Sequence, residues 1–90
     1  MADAPGEPDP RDEWRFGGRW YQPTFASSGH PRDGFALEVE DVAPAPGRGL
    51  VFEVFRDDVS GDVAFTAFTT DPLPFALVEK AVAVARDELL

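Results

Sequence analysis

One switch of hydrophobic period divides this chain. From Phe35 to Phe68 apolar residues tend to recur at every second position, and from Phe75 to Leu89 they recur about every 3.6 positions. Phe35, Leu37 and Val39 alternate with Ala36, Glu38 and Glu40, which predicts a strand with one wet face. The next run reads as a central strand, with Leu50, Phe52 and Val54 on one side and Val51, Glu53 and Phe55 on the other. A third run returns with Val63, Phe65 and Ala67 opposite Ala64, Thr66 and Phe68. APAPGRG and DDVSGD separate the three as turns. Asp71 with Pro72, or Leu73 with Pro74, then starts a helix, because Pro is tolerated in a first turn. Its predicted buried stripe is Phe75, Val78, Ala81, Val82, Ala85 and Leu89, leaving Glu79, Lys80, Arg86 and Asp87 outside. The expected fold is therefore an α+β domain, in which the helix packs across the sheet face bearing Leu37, Phe52 and Phe65.

Ahead of the three main strands, EWRFGGRWYQP predicts an aromatic hairpin, since Gly17-Gly18 supplies the positive φ that tight primed turns require. In that register Phe16 faces Arg19, Arg15 faces Trp20 and Trp14 faces Tyr21. Trp14, Phe16 and Tyr21 then share one side, and Arg15 and Trp20 share the other as a cation-π pair. TFASSGHPRDG, residues 24–34, reads as a loop. Residues 1–12 hold three Pro and several acids but no large hydrophobe beyond Met1, so a disordered tail is expected there and one domain over 13–90.

The formal net charge of -9 is spread along the whole chain, with five acids against one Arg in residues 1–13 and twelve acids against seven bases in the rest. Such a balance repels phosphate backbones and anionic bilayers, so direct nucleic-acid or membrane binding is not expected. A basic protein is the partner favoured by charge. The absence of Cys excludes disulfides and thiol chemistry and agrees with a reducing compartment, so cytoplasm is the expected location. MADAPGEPDPRD lacks the basic start and apolar stretch of a signal peptide, so export by the usual signal is not expected, and no run approaches the length that spans a bilayer. Arg in place of Lys, with abundant Ala, Gly and Pro, suggests a GC-rich bacterial genome.

Little in the chain points to catalysis. His30 stands near Ser27 and Ser28, but a nucleophile and base need a third orienting group that the loop does not supply. Asp57, Asp58 and Asp62 cluster at a hairpin tip without the spacing of a calcium loop, so turn chemistry is the simpler account. No glycine-rich phosphate cradle occurs. Neither an enzyme nor a cofactor or metal is expected.

Two surfaces ask for partners. Val51, Phe55 and Phe68 fall on the sheet face away from the helix, so either the aromatic hairpin folds over them or a second chain does, as in a homodimeric structural or assembly subunit. Glu38, Glu40, Asp41, Asp57, Asp58 and Asp62 make an acidic rim beside Trp20 and Arg15, an arrangement suited to docking a basic protein. In size, acidity and lack of Cys the chain resembles bacterial immunity and antitoxin proteins in type, though not in any motif. That resemblance implies a module that binds and inhibits a basic protein by occlusion.

Overall fold

A computed structural model of the protein describes residues 14–28 and 33–89, so the expected tail and His30 lie outside the described residues. Five strands form one antiparallel meander: β1 (Trp14–Phe16), β2 (Arg19–Ser28), β3 (Gly34–Ala43), β4 (Gly49–Asp57) and β5 (Val63–Ala67). Among the described residues a single helix, α1 (Phe75–Glu88), packs on one face. The α+β class and the antiparallel sheet agree with the sequence reading.

Gly17 and Gly18 both take positive φ, 59° and 78°, so the β1–β2 turn closes in two residues and pairs Trp14 with Tyr21, Arg15 with Trp20 and Phe16 with Arg19. This is the expected register. The hairpin does not, however, fold over the outer face: it continues the sheet in plane, and Trp14 and Tyr21 are buried in the core cluster together with helix residues.

The loop expected over residues 24–34 is mostly strand. Thr24 to Ser28 pair with Glu38 to Gly34, and the Phe25 ring stacks on Phe35 with centroids 6.1 Å apart. Pairing with β3 satisfies backbone groups that a loop would leave to water, and it outweighs the weak strand preference of Ser and Pro. Pro23 is tolerated because β1 pairs only with residues 19–21, which leaves this part of β2 with an edge among the described residues.

Two bulges interrupt the strict alternation. Val39 pairs with Phe52 and Glu40 with Leu50, so Val51 is an extra residue, and β2–β3 carries a similar shift between Trp20 and Tyr21. Because the extra residue breaks the two-residue phase, Val51 is buried in the same core cluster as Phe52, whereas Leu50 is turned out. Phe55 is buried too, its ring lying against Gly34, where any Cβ would collide with it and with the Arg56 carbonyl. Val51 and Phe55 are therefore not the open apolar face that alternation predicted, and of that trio only Phe68 is half exposed.

The helix begins at Pro74, whose carbonyl accepts from the Leu77 and Val78 N–H groups at 3.1 and 3.3 Å. At the other end the Arg56 guanidinium donates to the Leu89 carbonyl, a cation meeting the negative pole of the helix. The buried stripe is Leu77, Ala81, Val84, Ala85 and Leu89, rotated from the expected one. Phe75 is 74% exposed and Val82 39%. FALVEKAVAVA is apolar on more than one side, so two stripes compete. Leu77 and the small Ala81 and Ala85 win the sheet side, where Leu37, Val39, Phe52 and Val54 complete the core, and Lys80 lies 5.3 Å from the Trp14 ring.

Candidate interaction surface

The β1–β2 turn fixes Arg15 opposite Trp20 on the face away from α1, and the Arg15 guanidinium lies 5.4 Å from the indole centroid. Trp20 remains 38% exposed. The next row across this face is Gln22, Glu40 and Leu50, paired in that order, with the bulge residue Val42 alongside. Trp20, Val42 and Leu50 are exposed, as is Glu40, so this end of the outer face combines apolar area with negative charge. Glu38 sits one row further on, partly buried between Thr24 and Glu53. The centre of the face is closed, with Ala36, Glu53 and Phe55 buried.

The acidic rim is not continuous. Asp57 pairs with Gly34 and Trp20 with Ala43, so Asp57 and Trp20 are separated by the length of β3, about 30 Å at 3.3 Å per residue. At that far end Asp57 accepts from the Val59 and Ser60 N–H groups at 2.7 and 3.1 Å, and Asp58 pairs with Arg56 at 3.0 Å. Asp62 closes the turn, its N–H donating to Ser60 Oγ at 3.1 Å. These three acids build the β4–β5 turn. Among the described residues no three His, Cys, Asp or Glu side chains gather to hold a metal.

Asp41 is the largest departure from the rim. It is directed to the α1 side and is 1% exposed. Arg19 Nε donates to both of its oxygens at 2.9 and 2.8 Å, and Arg48 Nε donates at 2.5 Å. Burial by itself pushes the carboxyl up, but hydrogen bonds from Arg48 and Arg19, with their charges, outweigh it and hold Asp41 below the ordinary 3.8. The same two arginines continue the network. Arg19 donates to the Pro44 and Pro46 carbonyls at 2.6 and 3.2 Å, and Arg48 donates to Tyr21 Oη at 3.1 Å and Asp71 at 3.4 Å. Asp41 thus ties the hairpin, the β3–β4 loop and the approach to α1 together, and it is unavailable to a partner. Charge counting along the sequence could not find this network, because its members are brought together from positions 19 to 71.

A second exposed surface escaped the sequence reading. Phe75, Glu79, Val82 and Arg86 line a groove along the outer side of α1, and Val63 and Phe65 of β5 join Val82 and Arg86 in an adjoining one. None of the described helices is long and apolar enough to cross a membrane. Compared with known proteins, the chain matches no family model, no curated protein and no solved structure.

Proposed function

We propose that this protein is a small interaction module that binds a basic protein and inhibits it by covering its working surface. The observation that carries this reading is the exposed Trp20, braced by Arg15 and set beside Leu50, Val42 and Glu40 on a chain of net charge -9. A rigid aromatic presented in advance loses little entropy on binding, so it is suited to anchor a contact. Glu40 and Glu38 supply the local negative charge. A second reading, assembly of identical subunits, is favoured by the uncharged outer strand β5, which lies two strands beyond β3 and remote from Trp20.

The test offers the protein products of the neighbouring genes as ligands and, for one that binds, follows association and dissociation separately. Changing Glu38 and Glu40 together to Lys should slow association and flatten its salt dependence. Trp20→Ala should weaken binding by about 30-fold, mainly through faster dissociation. Binding that is indifferent to both changes would exclude this face as the contact.

A further inference from the structure

We infer that the basic partner presents an amphipathic helix, cationic along one flank, which lies across the strands on the outer face over Trp20, Val42, Leu50 and Phe68. The inference rests on the docking reading above and specifies what the partner brings to that face. Trp20 of β2, Val42 of β3 and Leu50 of β4 stand at the end of the sheet that carries the β1–β2 and β3–β4 turns. The chain leaving β5 reaches the same end at Phe68, whose N–H donates to the Val51 carbonyl at 2.8 Å. Because Ala67 pairs with Phe52 on the helix side, alternation directs Phe68 to the outer face, next to Leu50. The four side chains are 38% to 51% exposed. Apolar residues scattered singly over a surface are ordinary, but four on successive strands make a contiguous strip of the sort that marks a contact.

Backbone hydrogen bonding decides between a helix and an extended segment. The strip crosses the strands, and the backbone groups beneath it are engaged in the ladders that join β2 to β3, β3 to β4 and β4 to β5. An extended chain laid over it would find no backbone partners and would gain nothing from strand pairing. A helix satisfies its own backbone. Its pitch of about 5.4 Å is also close to the strand spacing of about 4.8 Å, so side chains at i, i+4, i+7 and i+11 fall against successive strands. Three strand spacings, about 14 Å, correspond to roughly three helical turns.

Charge selects the sign of the flank. Among the described bases, Arg19 and Arg48 are tied to Asp41 on the helix side, Arg56 reaches the Leu89 carbonyl there, and Lys80 and Arg86 belong to α1. Arg15, held over Trp20, is left as the one described base on the outer face. Glu40 lies one row inward from the strip and Glu38 one row beyond it. Among the described residues neither forms an ion pair. A helix with Lys or Arg along the flank that faces the sheet centre meets both carboxylates while its apolar side covers the strip. A second copy laid face to face would instead bring its own Glu38 and Glu40 to an acidic face, and each copy carries -9. Charge therefore favours the cationic helix as the occupant.

The probe is a synthetic peptide of about 18 residues, long enough to hold a helix, with Leu at i, i+4, i+7 and i+11 and Lys along one flank. Calorimetric titration into the full chain should show saturable binding. Leu50→Ala together with Phe68→Ala should weaken it at least about tenfold while far-UV circular dichroism is retained. Exchanging the peptide's Lys for Glu should abolish binding, and a Pro at its centre, which breaks the helix, should weaken it at least about tenfold. These two peptide changes leave the protein untouched, so they decide the matter even if the double variant fails to fold. No saturable binding, binding that ignores the Leu50 and Phe68 changes, or equal binding of the Pro peptide would overturn the inference. A neighbouring-gene partner that loses affinity with Trp20→Ala but not with the Leu50 and Phe68 changes would overturn the helix and leave the docking face standing. A dimer of this chain dissolved by Trp20→Ala would overturn it too, with a second copy as the occupant of the strip.

Discussion

Asp41 and Arg48 stand seven residues apart across the β3–β4 turn, yet Arg48 Nε donates to the Asp41 carboxylate at 2.5 Å, and Arg19 meets the same group from the hairpin. A carboxylate that sequence assigns to a solvated rim is in fact the buried joint of three segments. Asp41→Asn should cost about 2 to 3 kcal/mol in denaturant unfolding, toward the lower end for a broken buried pair because both arginines reach water. Asp71→Asn, at the exposed end of the network, should change stability by less than about 0.5 kcal/mol. Equal effects would mean that Asp41 is not the centre.

The same joint has a pH signature. Because the folded carboxyl titrates below its ordinary value, its contribution is complete above about pH 4 and is lost only as pH falls through the lowered folded value. The stability gap between wild type and Asp41→Asn should stay level from pH 7 to about pH 4 and shrink below it. A gap that closes already at pH 6 would contradict the assignment.

Rotation of α1 is measurable by a pair of truncations. Leu77→Ala should lower stability by about 2 to 5 kcal/mol, as buried Leu truncations do, and Phe75→Ala by less than about 1 kcal/mol in the monomer. The reverse order would restore the stripe expected from periodicity. Phe52→Ala, common to both alternatives, should cost about 3 to 5 kcal/mol.

The two Trp residues should part in fluorescence quenching. With Trp14 fully buried and Trp20 on the outer face, Trp20→Phe should leave emission that acrylamide barely quenches, and Trp14→Phe should leave emission that it quenches readily. Shielding of both would remove the anchor on which the docking proposal depends.

Local chemistry was enough to define several parts of this protein from sequence. Gly17-Gly18 admits a two-residue turn, and that turn fixes the partners of Trp14, Arg15 and Phe16, because hairpin register follows loop length. The switch of period after Thr70 similarly settles the order of strands and helix. Tertiary packing decided the rest. Which side of a helix that is apolar on more than one side turns inward depends on what the sheet offers, so Leu77 displaced Phe75. Val51 joined the core through a bulge, and an extra residue that reverses alternation leaves no mark in an apolar run. Asp41 looked like any surface acid, since the cost of burying a charge is met only by partners distant in sequence, here Arg19 and Arg48, which the fold alone assembles around it.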